Sequence, residues 1–361
     1  MKPNDAIRGR GSTDNPTGRF ERLLYDNDES FVQHDPETEP APRQLETEYF
    51  RDHTRAIIAR NDSPDVGFDA SINPYRGCTH GCCYCFARPT HEYLGLSAGM
   101  DFETKIFVKE DAPELLRAAL EKPSWKPTPL GLSGVTDPYQ PIERRVQITR
   151  RCLEVLVEFR HPVLVITKNH LVTRDADLLA ELARHNAAAV YLSVTTLDAS
   201  LARRMEPRTS SPERRLEAVA TLATAGVPTG VLVAPVVPAI TDHELPRILE
   251  AAARAGAKSA GYVMLRLPYG LKDLFEGWLD AFEPEKKEKV LSRLRESMGG
   301  KLYDSQWNKR QTGTGVYAKQ VAQMFHVACA RHGLNKERIV VTGDAFRRPP
   351  RAGDQRDLFA P

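Results

Sequence analysis

The sequence predicts an α/β fold: a partial (β/α)6 barrel of the TIM type, with a C-terminal helical appendage and extended N- and C-terminal tails. Between residues 70 and 270, strand-sized apolar runs alternate with helix-period patterns, the mark of βαβ units and a parallel sheet. About six such units fit in that span, too few for a closed eight-unit barrel. A third observation locates the chemistry: four of the six cysteines fall within eight positions, Cys78 to Cys85, just after the first of these strands.

Residues 1–45 are polar, first basic (Arg8, Arg10, Arg19, Arg22) and then acidic (Asp26, Asp28, Glu29, Asp35, Glu37, Glu39). They hold too little apolar surface to order alone, so they read as a largely disordered extension. Phe20, Leu23, Leu24, Tyr25 and Phe31 are the residues able to anchor it. The barrel is expected over 46–270, opening on a polar helix at 46–58. Then 105–109 reads as a short strand, 113–120 as a helix, and 130–133 as a strand ending in Gly134-Val-Thr-Asp137. The pattern over 143–158 predicts one helix with Val146, Thr149, Cys152, Leu153 and Leu156 on one face. Strands follow at 162–166, 190–195, 227–234 and 259–265, separated by helices at 176–184, 212–225 and 242–255. Ser211 stands at the N-cap position of the 212–225 helix and Gly226 stops it. Residues 271–345 read as an appendage covering one end of the barrel, with helices at 285–297 and 316–331, a stop at Gly333 and a short strand at 339–342. Residues 346–361 read as a disordered tail.

Composition excludes some classes. The 361 residues are 41% hydrophobic and 27% charged, with a net charge of +2, so bulk charge does not call for nucleic acid. No apolar run is long enough to span a bilayer. Met-Lys-Pro-Asn-Asp at the start lacks the apolar core of a signal peptide. With clustered thiols, this places the chain in a reducing cytoplasm.

Cys78, Cys82 and Cys85 form C-x3-C-x2-C, with Tyr84 just before the last. Three thiolates so spaced can hold one compact cluster from a single loop. A [4Fe–4S] cube normally takes four cysteines, so three leave one iron open. Zinc held by all four cysteines is the alternative. Zinc sites usually pair two ligand-bearing turns across a spacer, whereas Cys152 and Cys329 are single and distant. Cys83 directly follows Cys82 and reads as packing. In parallel barrels ligands sit at the carboxyl ends of strands. The residues there are Ser133, Thr136, Asp137, Lys168, Ser193, Thr195, Thr196 and Arg266, with the apolar Ala234.

The cysteine loop resembles that of the radical S-adenosylmethionine (SAM) superfamily. More specifically, Val165-Ile-Thr-Lys-Asn-His170, Tyr191-Leu-Ser-Val194, Met205-Glu-Pro-Arg-Thr-Ser-Ser-Pro-Glu-Arg-Arg215 and Gly230-Val-Leu-Val-Ala-Pro235 resemble the spore photoproduct lyase group, which repairs a thymine lesion in DNA. The resemblance covers roughly residues 70–270. It implies a [4Fe–4S] cluster on Cys78, Cys82 and Cys85, SAM at the open iron, and a one-electron reductant of the flavodoxin or ferredoxin type. It implies reductive SAM cleavage to a 5′-deoxyadenosyl radical that abstracts hydrogen. By it, Ser133, Lys168, Ser193 and Ala234 match SAM-contacting positions, and the backbone at Tyr84 lies near the adenine. Glu206 and Arg208 would be an ion pair or substrate contacts. One departure concerns the substrate: the lyases carry a hydrogen-donor cysteine on the strand that here reads Leu130-Gly-Leu-Ser133. Cys152 and Cys329 read as buried packing. Tyr139, Tyr191, Tyr262 and Tyr269 lie near strand ends, mostly as packing.

DNA is the substrate or partner this resemblance favours. The pairs Arg144-Arg145, Arg150-Arg151, Arg203-Arg204 and Arg214-Arg215 read mainly as solvated helix faces, and the arginines of 347–351 as the best phosphate contacts. The competing class is a non-enzymatic module, with zinc or a structural cluster on the cysteines and nucleic acid on the basic segments. Finally, Gln355-Arg-Asp-Leu-Phe359 resembles the peptide by which bacterial repair and replication proteins dock on the sliding clamp, with Arg356 in place of the usual leucine.

Overall fold

The computed structural model describes residues 9–20 and 45–350. Ten strands are present among them: β1 (Glu48–Arg51), β2 (Ile58–Arg60), β3 (Ala70–Ile72), β4 (Tyr75–Arg76), β5 (Lys105–Val108), β6 (Leu130–Leu132), β7 (Val163–Thr167), β8 (Ala188–Ser193), β9 (Thr229–Val236) and β10 (Ser259–Met264). The main sheet has the order β10-β9-β8-β7-β6-β3-β2. From β3 to β10 every pair is parallel, and only β2 runs antiparallel, against β3. Six parallel strands in sequence order make the expected partial (β/α)6 barrel. All six therefore point their carboxyl ends to one face, where Asn73, Ser133, Lys168, Thr195 and Arg266 emerge.

The outer helices bury one face each, as their periodicity requires. Ile148–Phe159 buries Ile148, Cys152, Leu153, Val155, Leu156 and Phe159. Pro212–Thr224 is capped by Ser211, whose side chain accepts from Arg214 N, and buries Ala218, Val219 and Leu222.

Four sequence expectations change. Residues 46–58 hold strand β1 and the first residue of β2 in place of a helix. Strand β1 pairs in parallel with β5, and Phe50 stacks on Phe107 at 5.2 Å, so tertiary pairing overrides the polar local pattern. The 143–158 helix is two helices, Glu143–Val146 and Ile148–Phe159, broken at Gln147, whose φ is 52°. Glu143 folds back to cap the second, accepting from Thr149 N at 3.0 Å. Residues 339–342 form no strand, and the helices Ala199–Met205 and Leu271–Phe282 went unread in the sequence. Residues 9–20, expected within a disordered extension, lie against the cysteine loop: Gly11 N and Ser12 N donate to the buried Glu103 at 3.1 and 2.8 Å.

The C-terminal helices extend the β10 side. Gly315–His332 packs along Leu245–Arg254, and Trp278 Nε1 donates to Arg204 O at 2.9 Å. It is the irregular segment after them that crosses one end of the barrel. Asn335 N donates to Lys258 O before β10, Thr342 N to Asn186 O before β8, and Arg347 N to Phe159 O before β7, at 2.9 to 3.0 Å. Arg348 reaches Leu120 O, Lys122 O and Trp125 O before β6. Arg347 and Arg348 therefore terminate helices at the amino-end face, where helix C-termini concentrate negative partial charge. Arg347 Nε donates to Glu158 O at 3.2 Å, and both residues remain exposed. Arg351 and the 355–359 motif lie outside the described residues. Among the described residues no helix is long and apolar enough to cross a membrane.

Candidate active site

The cysteine loop leaves β4 and curls back on itself: Gly81 N bonds Cys78 O, Cys85 N bonds Cys82 O and Arg88 N bonds Cys85 O, at 3.4, 3.2 and 3.1 Å. The barrel's own strand-end loops hold it. Thr136 Oγ1 donates to Gly77 O at 2.6 Å, and Thr79 N to Gln140 Oε1 at 3.0 Å. Cys83 N donates to Met205 O at 3.0 Å and Arg208 N to His80 O at 3.2 Å. His80 sits inside the loop, with Nδ1 at 3.3 Å from Asp137 and Nε2 at 3.1 Å from Asn169 Nδ2. Asp137 also accepts from Thr167 Oγ1, Lys168 N and Tyr139 N at 2.7, 2.8 and 2.9 Å, so the exits of β6 and β7 are tied to the loop through one carboxylate.

All six cysteines are free. Burial pushes the Cys82 thiol well up, with Glu206 next, and burial with the Cys78 neighbour pushes Cys85 up to about 11. Lys168 draws both down, and Arg88 draws Cys85 down. Cys82 feels Cys85 and Cys78, whereas the charges about Cys83 are Arg88, Glu206 and Glu103. Cys78, Cys82 and Cys85 thus act on one another. Three cysteines on one loop, with the Lys168 and Arg88 cations beside them, suit the thiolate donor set of an iron–sulfur cube.

Beside the loop lies a buried polar network. Glu206 accepts from Tyr84 OH, from Arg215 Nη2 and, at 2.9 Å, from Thr195 Oγ1, while Lys168 Nζ stands 3.6 Å away. Lys168 Nζ donates to Ala234 O at 3.1 Å and lies 5.7 Å from the Tyr84 ring centroid. Burial lowers its pKa to about 8, so its charge is held in a poorly solvated place. Of the five SAM-matching positions, Tyr84, Lys168 and Ala234 meet in this network. Ser193 joins through its carbonyl, which accepts from Arg215 Nη1 at 2.9 Å. Ser133 stands apart, its one proton donated to Asn73 Oδ1 at 2.6 Å, with Thr136 O 3.1 Å from Oγ.

Glu206 and Arg208 do not pair. Glu206 takes Arg215, and Arg208 Nε donates to Gly9 O at 3.1 Å. Arg215 is therefore buried, not part of a solvated face. The sequence held the signal: Arg215 lies three, four and seven residues before Ala218, Val219 and Leu222 on the helix's apolar stripe, where a cation demands an internal partner. Glu103, Asn73, Gln140 and Arg88 also went unassigned, because their partners are brought in from other segments.

Against known proteins, a family model described as the radical SAM superfamily matches residues 72–252. An uncharacterized protein of Mycobacterium tuberculosis is 38% identical over 231 residues, 63% of this chain and 67% of that protein. One of Methanocaldococcus jannaschii is 30% identical over 173 residues, 48% and 62% of the two chains. The structure of spore photoproduct lyase complexed with dinucleoside spore photoproduct aligns with a TM-score of 0.53 at 16% identity, covering 79% of this chain and 80% of that one. A mutant lyase with bound AdoMet and dinucleoside spore photoproduct aligns with a TM-score of 0.52 at 18% identity and the same coverage. At these identities the likeness shows the fold. The family match sets aside the non-enzymatic module: this chain belongs to the radical SAM superfamily and is an enzyme that uses a [4Fe–4S] cluster and SAM.

Proposed function

We propose that Cys78, Cys82 and Cys85 ligate the cluster, that SAM lies over the Tyr84–Lys168–Glu206 network, and that the hydrogen abstracted belongs to a nucleic-acid base. The observation that carries this is the joining of the cysteine loop to the exits of β6, β7 and β8 by Asp137, Gln140, Lys168 and Glu206. When bound, cluster and SAM supply a 5′-deoxyadenosyl radical. The protein's part is to bind, orient and exclude water. Lys168 offers a partly desolvated cation at the end of β7. Tyr84 is locked by Glu206 and Thr195, which fixes the backbone between Cys82 and Cys85. Ser133 spends its proton on Asn73, leaving its lone pairs for a donor such as the SAM ammonium. Ala234 O accepts from Lys168 Nζ at 3.1 Å, which ties β9 to the end of β7.

Nucleic acid as substrate draws on the bound dinucleoside of the lyase structures and on the lyase-like blocks of the sequence. The final hydrogen transfer would differ from theirs, since β6 is Leu-Gly-Leu and the three non-ligand cysteines, Cys83, Cys152 and Cys329, are all buried. A flavodoxin- or ferredoxin-type protein would deliver the electron in the cytoplasm. The 355–359 motif would dock on the sliding clamp.

Anaerobic reconstitution with reductant and SAM, assayed for 5′-deoxyadenosine with and without oligonucleotides, tests the reading. Release of 5′-deoxyadenosine that rises with an oligonucleotide supports it, and release indifferent to any nucleic acid removes the substrate half. For the clamp, a fluorescent peptide of residues 350–361 should bind in the micromolar range, about −8 kcal/mol. A Leu358→Ala/Phe359→Ala peptide binding equally well would discard it.

A further inference from the structure

Glu103 is fully buried behind the cysteine loop. Oε1 accepts from Arg88 Nη2 at 2.5 Å and from Ser12 N at 2.8 Å, and Oε2 from Gly11 N at 3.1 Å. Arg88 is also fully buried. Its Nε and Nη2 donate to Cys82 O at 3.0 and 2.9 Å, and its Nη1 to Gly99 O at 2.9 Å. Arg10 Nη1 closes the arrangement on Glu103 O at 2.9 Å. The segment 9–12 is pressed onto the loop backbone to backbone. A Cβ on Gly11 would overlap Gly81 O and stand 3.0 Å from Cys83 N. One on Gly81 would come within 2.6 Å of Glu103 Oε2. None of this contacts the Lys168–Glu206 network, which faces the loop from the barrel side.

We propose that Glu103 is a positioning residue for the cluster, acting through Arg88 and an N-terminal strap formed by residues 9–12. The carboxylate does three things at once. It orients Arg88, which grips the carbonyl of Cys82. It neutralises the Arg88 charge beside the thiolates. It binds the two strap N–H groups that seal the loop's outer side. The inference rests on ligation by Cys78, Cys82 and Cys85.

The charge balance gives it a sign. On reduction a cluster gains one negative charge, and net charge and hydrogen bonding around it set its potential. Removing the Glu103 charge leaves Arg88 uncompensated, which favours the reduced form and raises the potential. Removing the Arg88 charge leaves Glu103 uncompensated and lowers it. General loosening of the fold has no reason to move the two variants in opposite directions.

The experiment uses the full chain, reconstituted anaerobically. Midpoint potentials come from a redox titration followed by electron paramagnetic resonance, and iron release in air from a chelator's colour. Glu103→Gln should shift the potential up and Arg88→Gln down. Gly11→Val, which leaves both charges in place, should release iron several-fold faster than wild type. Shifts of the same sign, no shift, or iron release from Gly11→Val at the wild-type rate would overturn the proposal. If a charge variant takes up no cluster, Gly11→Val decides alone. A wild-type chain that takes up no cluster overturns the ligation reading as well, so the two failures are told apart.

Discussion

Glu206 and Arg215 have side chains only 1% exposed, so neither charge has water to fall back on. Glu206→Ala would strand the Arg215 guanidinium among Ser193 O, Ser210 O and Thr209 Oγ1. Breaking one side of a buried pair typically costs about 3–5 kcal/mol. That loss should appear in equilibrium urea unfolding, and a change below about 1 kcal/mol would mean that the pair is not formed. The cysteines give a second expectation. Cys78→Ala, Cys82→Ala and Cys85→Ala should each abolish the reconstituted cluster, whereas Cys83→Ala should keep it. Equal iron loss from Cys83→Ala and Cys82→Ala would reassign the ligands. Residues of this kind differ in how well sequence exposes them. The cysteine spacing is legible because one loop supplies every thiolate. Glu103 is not, since the groups it answers, Arg88 and the N–H groups of Gly11 and Ser12, lie up to 92 positions away.

At the level of elements, the six parallel strands were readable because each buried run is bounded by helix-period sequence. What escaped is what needs a partner from far away. Strand β1 exists only through its pairing with β5, and its residues are all exposed, so no buried alternation marks it. The break at Gln147 depends on Glu143, a buried acid that accepts from Tyr75 OH, from Arg174 Nη2 at 2.8 Å and from Thr149 N. Glu143→Ala removes the cap of Ile148–Phe159 and leaves the Tyr75 hydroxyl unsatisfied inside the core. A lost cap costs about 0.5–2 kcal/mol and an orphaned buried donor about 1–3 kcal/mol. The expected sum, about 1.5–5 kcal/mol, is checked by urea unfolding beside Glu143→Gln, which can still accept and should recover part of it. Equal losses in the two variants would show that charge, not hydrogen bonding, is what Glu143 contributes.

The whole molecule has two poles. The carboxyl-end face carries the cysteine loop, and the amino-end face is crossed by residues 335–348, which lie under the starts of β10, β8, β7 and β6. His161 is at the centre of that lower closure. Trp125 Nε1 donates to its Nε2 at 3.0 Å, so Nδ1 carries the proton and donates to Pro162 O at 3.0 Å. Phe346 meets the imidazole edge-on at 5.7 Å. The ring is thus held neutral, and burial lowers its pKa from 6.5 to about 4. The unfolded chain then binds the proton more readily than the folded one between those two values. Stability contributed by neutral His161 is complete above pH 6.5 and falls as pH drops toward 4, because a second ring proton has no acceptor and displaces the Trp125 bond. Between pH 7 and pH 5 the loss from this one residue is up to about 2 kcal/mol. Urea unfolding at the two pH values should show it, and His161→Gln, which cannot titrate, should flatten the dependence by that amount. An unchanged slope in His161→Gln would mean that the lower closure does not sense pH through this ring. Because the same closure anchors Arg347 and Arg348, limited proteolysis near residue 348 should quicken at pH 5 in the wild type and not in His161→Gln.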